Sequence, residues 1–284
     1  MQVWFEKGGV NDKKAMHLTP ERSFPVRAAY DWVNAQTGGA HVLYTRVPIA
    51  DETAPEEQDF DQLVSELSAF VLSTARGKGG DRGGGGAGGD TGDDTALVFN
   101  CHMGRGRTTT GMVCGSIMLR AANGWKPPAG GVSALPEPMA EGRNLKRGEF
   151  GGILKLLASL EEMHQGLGLR SKLLVDLCAD ECDEVTSLVD ASAKCLEKSA
   201  KAEAMALAGE AASGPVPRAG PAESSGSPEF WRHRGLKYLE RYAYLLLFSG
   251  YALLTAKGGF SLTFTEWMKK HWVFKRLIRE LVLS

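Results

Sequence analysis

The sequence lacks several features that would assign it to a large class of proteins. It has no disulfide framework, because its five cysteines are odd in number and irregularly spaced. This pattern argues for reduced thiols and a cytoplasmic protein rather than a stapled secreted domain. The formal net charge is only −1, so no overall field favours nucleic acid or a membrane surface as a partner. Any recognition of an anion must therefore be local.

Long apolar segments and nucleotide-binding loops are missing as well. The first seven residues contain no apolar core of a signal peptide. The most apolar run, Tyr242 to Ala256, is too short to span a bilayer comfortably. Neither a G-x-G-x-x-G nor a G-x4-G-K loop follows a predicted strand, which excludes a dinucleotide or ATP site of that kind. Cys178 and Cys182 lie four residues apart but have no nearby histidine, so we interpret them as buried or bystander thiols rather than as metal ligands.

What the sequence does contain is a strand–loop–helix pattern from Leu97 to Met112. An apolar, β-prone run is followed by Cys101, and five residues later by Arg107 and Thr108. A loop between a strand and a helix turns its backbone N–H groups inward and binds anions, and Gly104 and Gly106 would let such a loop close tightly. The pattern predicts a phosphate-binding loop.

The residue types of this loop suit nucleophilic attack on phosphorus. The guanidinium of Arg107 matches two phosphate oxygens, while loop amides and the helix N-terminus favour a thiolate at Cys101. The Thr108 hydroxyl is placed to donate a hydrogen bond to the sulfur and help it leave. The alternative is that Cys101 is a buried structural thiol and the arginines are surface charges, since Cys-x5-Arg alone is a weak signal.

The same residues resemble the Cys-x5-Arg signature of cysteine-dependent phosphatases. The fuller string from Phe99 to Met112 resembles the paladin family and its relatives, the bacterial protein-tyrosine-phosphatase-like phytases, which hydrolyse inositol polyphosphates. The triplet 148–150 and the string 238–242 also resemble paladins. The resemblance implies a phosphocysteine mechanism with no metal and no cofactor.

A candidate general acid lies in a loop ahead of a helix. Asp51 follows a predicted strand and precedes Pro55, which is a good helix start. A carboxylic acid on a mobile loop can protonate the departing oxygen of a phosphate ester, and in the resembled families an Asp a few residues before a Pro has this role. The alternative is a turn carboxylate, which is how we interpret Asp59 and Asp61.

Residues inside the loop bear on the substrate. The side chains of His102 and Arg105 are not required to stabilise the thiolate and can contact further phosphates of a substrate. Met103, Gly104 and Gly106 contribute backbone amides. The loop therefore suits an inositol polyphosphate or a phosphoinositide headgroup, although a phosphotyrosine site and a purely structural role for these side chains stay open. Asn100 stands where many cysteine phosphatases place His.

The rest of the chain predicts an α/β fold: a mainly parallel sheet flanked by helices, with a helical C-terminal part. We predict a phosphatase-like domain over residues 1–210 with insertions near 76–94 and 123–145, a linker at 211–228, and helices at 229–284 that pack on the same domain. Apolar spacing predicts a helix that begins near Pro55 with an apolar face from Phe60 to Val71, and further helices over 108–122, 173–205, 231–256 and 263–281. The last helix is basic, and packing in the core is favoured over contact with a membrane surface.

A non-catalytic alternative also remains at this stage. Only two convincing core strands are found, at 41–49 and 95–100, whereas the resembled fold needs about four. The chain is therefore either an active phosphatase unit or a paladin-like repeat that binds anions or acts as a scaffold, and it is a candidate fragment of a longer repeat protein. The sequence gives no oligomeric state.

Overall fold

A computed structural model of the chain describes eleven stretches of the sequence. They are residues 2–7, 10–15, 25–37, 42–51, 53–77, 96–102, 106–128, 134–135, 145–182, 187–212 and 226–283. The chain divides into two compact units, residues 1–46 and residues 47–284. The predicted insertion at 76–94 and the predicted linker at 211–228 fall almost entirely outside the described residues, as does most of the insertion at 123–145.

The described residues are mainly helical. The first unit contains an antiparallel hairpin, β1 (Gln2–Lys7) and β2 (Val10–Ala15), and the helix α1 (Val26–Thr37). The second unit contains α2 (Glu57–Gly77), α3 (Gly106–Ala122), α4 (Gly151–Met163), α5 (Leu167–Glu181), α6 (Leu188–Ala212), α7 (Pro228–Thr255), α8 (Phe264–Lys270) and α9 (Val273–Leu283).

The centre of the second unit is α7, a helix of 28 residues. It starts at Ser227, whose hydroxyl accepts a hydrogen bond from the backbone N–H of Phe230 at 3.1 Å, with Pro228 in the first turn. Its second half is buried nearly all round, from Leu245 to Ala252. Helices α3, α5, α6 and α9 pack around it. A helix that is apolar on every side belongs in the middle of a core, and the chain here uses one in place of a central sheet.

An aromatic cluster joins α2, α7 and α8. The ring of Phe60 lies 5.1 Å from that of Phe248 and 4.9 Å from that of Phe264, measured between centroids. Thr263 and Glu266 form a capping box at the start of α8, and the carboxylate of Asp61 accepts a hydrogen bond from the Thr265 N–H at 3.0 Å. These contacts fix the start of α2, and with it the loop that precedes α2.

The last two helices also pack into this core. Phe274, Ile278 and Leu281 of α9 are buried, and the Lys275 ammonium reaches Glu57 of α2 at 2.7 Å. The apolar face of the basic C-terminal helix therefore packs in the core. The helix predicted from Thr263 to Leu281 is interrupted at His271 and Trp272, which separate α8 from α9.

The predicted parallel α/β sheet is wrong. Apart from the hairpin at 2–15, the described part of the chain contains no strand, and residues 42–50 and 96–100 belong to no sheet. In the first unit, the N–H and C=O of Val42 both hydrogen-bond to the side-chain amide of Asn34, at 2.7 and 2.9 Å. A side chain thus takes the place of a neighbouring strand.

Residues 96–100 are held by packing against helices. The Phe99 ring lies over two glycines of α3, where an added Cβ at Gly111 would be 2.7 Å and one at Gly115 3.1 Å from ring carbons. Leu97 also packs on the core, whereas Val98 is 87% exposed. A β-prone run has no fixed conformation of its own and follows the surface that buries it, which is a helical surface here.

Most predicted helices are present. The apolar face predicted for α2 includes Phe60, Leu63, Val64, Leu67 and Val71, all of which are buried. The segment predicted as helical from Leu173 to Met205 is divided between α5, which ends at Glu181, and α6, which begins at Leu188. None of the described helices is both long and apolar enough to cross a bilayer.

Candidate functional site

The segment that carries the predicted nucleophile ends at the start of α3. Phe99 fixes it against Gly111 and Gly115, so that Cys101 lies two residues beyond this contact. Cys101 is partly exposed and His102 is exposed. The predicted loop residues Met103, Gly104 and Arg105 lie outside the described residues. Gly106 and Arg107 are the first two residues of α3.

The predicted acid lies beside the predicted arginine. Nη2 of Arg107 is 3.2 Å from Oδ1 of Asp51, with 28% of the arginine side chain and 73% of the aspartate side chain exposed. The two residues are 56 positions apart in the sequence, and the spacing of the loop residues gives no indication of this contact. An ion pair this exposed is worth at most about 1 kcal/mol, so another anion can compete for the guanidinium.

Two buried polar atoms at the start of α3 are not satisfied. Nε of Arg107 and Oγ1 of Thr108 are both buried and have no hydrogen-bond partner among the described residues. The hydrogen bond from Thr108 to the Cys101 sulfur, expected when the sulfur leaves, stays a prediction. Leaving a buried donor unpaired costs about 1–3 kcal/mol, and a polar atom in this state calls for an explanation such as a ligand. The Nε–H group of Arg107 and the hydroxyl of Thr108 can each donate a hydrogen bond to an oxyanion.

The carboxylates interpreted as structural do have structural partners. Asp59 accepts a hydrogen bond from the Glu56 N–H at 2.8 Å at the start of α2, and Asp61 accepts from Thr265. Asp51 has no comparable position at a helix start, because α2 begins six residues later.

The turn around Asp51 is closed by hydrogen bonds. The Thr53 hydroxyl donates to the Ala50 carbonyl at 3.1 Å. The Thr53 carbonyl in turn accepts from Nε and Nη2 of Arg241, at 3.2 and 2.9 Å. The contact between Arg241 and this turn was not predicted. The sequence feature that could have indicated it is the position of the arginine beside the apolar run of α7, in a string that resembles paladins.

The remaining thiols are unlike Cys101 in their surroundings. Cys114, Cys178, Cys182 and Cys195 are all buried. Burial raises the pKa of Cys178 to about 12, and burial followed by the proximity of Cys178 raises the pKa of Cys114 further. Burial also raises the pKa values of Cys182 and Cys195. These four residues are structural thiols at neutral pH.

A cavity adjoins the first turns of α3. It has a volume of about 530 Å³ and is bordered by Thr109 and Thr110 on one side. Three cationic side chains and three carboxylates also line it, those of Lys146, Arg147, Lys172, Glu149, Asp176 and Asp180. Lys172 forms an ion pair with Asp176, whose other carboxylate oxygen accepts a hydrogen bond from the Tyr242 hydroxyl at 2.9 Å. The pKa of Tyr242 is raised well above its usual range by burial and by Asp176.

Comparison with known proteins identifies relatives that carry this segment. A family model named PTPlike_phytase, described as "Inositol hexakisphosphate", matches residues 22–119. That range includes Asp51, Cys101 and Arg107. No solved structure matches the chain.

The curated relatives are paladins. The chain is 30% identical to Paladin of Gallus gallus over 233 residues, which is 81% of this chain and 22% of that protein. It is 29% identical to Paladin of Homo sapiens over 81% of this chain and 22% of the relative, and 28% identical to that of Xenopus tropicalis over 80% and 21%. The chain thus spans about a fifth of the length of the paladins it matches.

Proposed function

Because this chain belongs to the paladin and phytase-like family, we propose that it is a cysteine-dependent phosphomonoester hydrolase. The observation that carries the proposal is the group of donors at the start of α3: the buried, unpaired Nε of Arg107 and Oγ1 of Thr108, next in sequence to the Cys101 segment. A bound phosphate would satisfy both atoms, and Cys101 would approach its phosphorus from the loop.

The first step of the proposed reaction forms an S–P bond and breaks the P–O bond of the ester. The Cys101 thiolate attacks phosphorus while Arg107 holds two of the phosphate oxygens. Asp51 gives its proton to the departing oxygen, so the alcohol leaves neutral. The product on the enzyme is phosphocysteine.

The second step returns the enzyme to its starting state. Asp51, now a carboxylate, takes a proton from water, and the water oxygen attacks phosphorus as the S–P bond breaks. Phosphate leaves, and the thiolate is regenerated with the acid protonated. No metal or redox partner is needed, because atoms and charge balance between the two side chains and water.

The contact between Asp51 and Arg107 fits this sequence of events. The ion pair is exposed on the aspartate side, so a phosphate dianion that binds the guanidinium through two oxygens would displace the carboxylate. Asp51 would then stay within reach of the ester oxygen while no longer paired to the arginine. The loop that carries Asp51 would thus have two states, one in which Asp51 pairs with Arg107 and one in which bound phosphate has displaced it.

Phosphorylated inositols or phosphoinositide headgroups are the substrates that the site suits best, with phosphotyrosine as the alternative. His102 and Arg105 are cationic or polar residues of the loop itself, and Lys146, Arg147 and Lys172 line the cavity beside α3. A substrate with several phosphates would contact the loop residues. The three cations of the cavity are matched by the carboxylates of Glu149, Asp176 and Asp180, so the cavity adds no net positive charge. The same proposal includes a cytoplasmic location, because the cysteines are odd in number and their spacing matches no disulfide framework.

The test is phosphate release from inositol phosphates, phosphoinositides and phosphotyrosine peptides by the full chain. Cys101→Ser should abolish release, because its hydroxyl is a far weaker nucleophile than a thiolate. Asp51→Asn should slow release at least 100-fold, since it cannot donate the proton. Asp31→Asn on the exposed side of α1 makes the same charge change and should leave the rate unaltered.

The outcome separates the enzyme from a binding module. Turnover by Cys101→Ser at the wild-type rate contradicts the mechanism. Substrate binding by the wild type without phosphate release supports the alternative of a paladin-like unit that binds anions.

A further inference from the structure

Arg241 is a buried cation on the central helix. Arg241 is 3% exposed, and its neighbours Tyr242 and Ala243 on α7 are also buried. Burying a guanidinium is unfavourable unless hydrogen bonds compensate for the lost water. Part of the compensation comes from the segment that carries the predicted acid, because Nε and Nη2 both donate to the Thr53 carbonyl.

The same guanidinium lies against the start of α3. A Cβ placed on Gly106 would be 3.0 Å from Nη1 of Arg241, so the absence of a side chain at this position leaves room for the arginine. Gly106 directly precedes Arg107, which contacts Asp51. One side chain therefore contacts both the segment of the acid and the first residue of the helix that carries the phosphate-binding arginine.

The contact to Thr53 constrains Asp51 through a short closed turn. The Thr53 hydroxyl bonds back to the Ala50 carbonyl, which encloses Asp51 between residues 50 and 53. The Thr53 carbonyl is anchored by two N–H groups on a rigid, buried helix. Arginine is suited to this task because its planar fork presents several donors in a fixed geometry, which lysine cannot reproduce.

We propose that Arg241 is a positioning residue that holds the Asp51 turn at the phosphate-binding site. The catalytic role of Arg241 rests on the proposed function, whereas the claim that Arg241 fixes the Asp51 turn does not depend on it. Arg241 contacts the Asp51 turn through the Thr53 carbonyl, and its proposed effect on Asp51 passes through this contact. Its loss should therefore impair the steps in which Asp51 transfers a proton and spare the attack by Cys101.

The structural arm of the test is hydrogen exchange on the full chain. In Arg241→Met, the amides of residues 50–54 should exchange at least 10-fold faster than in the wild type. Arg241→Lys keeps the charge and serves as the second variant should the methionine variant fail to fold; it should show a smaller acceleration. Arg232→Met, an exposed arginine of the same helix, is the matched control and should leave exchange in this segment unchanged.

The catalytic arm compares two leaving groups. With an alkyl phosphate, whose departing oxygen needs a proton, Arg241→Met should reduce kcat/KM, which reports formation of phosphocysteine, at least 30-fold. With an aryl phosphate of low leaving-group pKa, the loss should be less than 3-fold. Adding Arg241→Met to Asp51→Asn should cause no further loss with the alkyl phosphate, because both changes remove the same proton transfer. A merely structural role would reduce both rates alike and would add to the Asp51 change.

The two arms distinguish this inference from the proposed function. If the wild type releases no phosphate from any substrate, the proposed function fails, and the exchange experiment alone decides whether Arg241 fixes the turn. Unchanged exchange at residues 50–54 in both Arg241 variants overturns the inference. So does an equal loss of kcat/KM for the two leaving groups.

Discussion

Cys101 differs from the other four cysteines in exposure. The others are buried, and burial raises the pKa of each of them, to about 12 for Cys178. A thiol of that kind stays protonated at neutral pH and is shielded from reagents. Cys101 is partly exposed at the start of the predicted phosphate-binding loop. The structure therefore concentrates thiol reactivity in one residue.

We predict that iodoacetamide at pH 7.5 alkylates Cys101 at least 10-fold faster than any other cysteine of the folded chain. The measurement is peptide mass spectrometry over a time course, with the chain in urea as the control in which all five react. Cys101→Ser should remove the fast phase and leave the slow one. Rapid alkylation of Cys114 or Cys178 in the folded protein would show that the helical core opens readily, contrary to the packing described.

The residues of the site divide into those that the sequence reveals and those that it does not. Cys101, Arg107 and Thr108 follow from a local spacing, and Asp51 from its position before Pro55 together with the family resemblance. Arg241 could not be predicted, because it meets Thr53 across 188 residues and no local pattern encodes such a contact. The ring of backbone amides from residues 102–107 stays a prediction.

At the scale of the helices, close packing depends on a few glycines. α4 and α5 form a hairpin whose turn is fixed by Glu161. Its carboxylate accepts hydrogen bonds from the N–H groups of Gly166 and Gly168, at 2.5 and 3.0 Å, at the start of α5. A Cβ on Gly168 would lie 2.2 Å from the Leu157 carbonyl oxygen of α4. Since that atom belongs to a helix backbone, it cannot move aside cheaply.

Gly168→Ala should therefore lower the free energy of unfolding by about 1–3 kcal/mol, as overpacking does. This loss outweighs the gain of about 0.5–1 kcal/mol that alanine brings to a helix interior. Gly226→Ala is the matched control, because nothing lies within 4 Å of a Cβ at that position; its effect should stay within about 0.5 kcal/mol. Urea unfolding measures both. Equal stabilities of the two variants would contradict the close approach of α4 and α5.

Helix boundaries followed the sequence better than strand pairing did. The helices α2, α3 and α7 begin and end close to their predicted positions, because capping residues and apolar faces are local features. The breaks after Cys182 and at His271 were missed, since the periodicity continues across them. The residue at which a short helix ends depends on the side chains that pack around it, and a single sequence does not show these contacts.

For the whole molecule, the prediction of an α/β fold was wrong for a physical reason. The two runs chosen as strands are apolar and β-prone, but a strand exists only when a partner pairs with it. In the structure, Asn34 takes the hydrogen bonds of Val42, and Phe99 packs on the glycines of α3. The core is organised instead by α7, whose apolar length was evident in the sequence.

The site nevertheless depends on the whole second unit. Asp51 precedes α2, Arg107 begins α3, and Arg241 lies on α7, so three helices distant in sequence must pack correctly before the acid reaches the arginine. This arrangement agrees with the family match over residues 22–119 together with the paladin similarity over about four fifths of the chain. The family segment alone would lack Arg241.

The most direct measurement is detection of phosphocysteine at position 101. Asp51→Asn slows the second step because no base activates the water, so with an aryl phosphate of low leaving-group pKa the intermediate should accumulate. We predict that acid-quenched protein, analysed by mass spectrometry, carries close to one phosphate per chain on the peptide of Cys101, and none in the double variant with Cys101→Ser. Turnover with phosphate on another residue, or with no phosphorylated protein in any quench, would contradict the account.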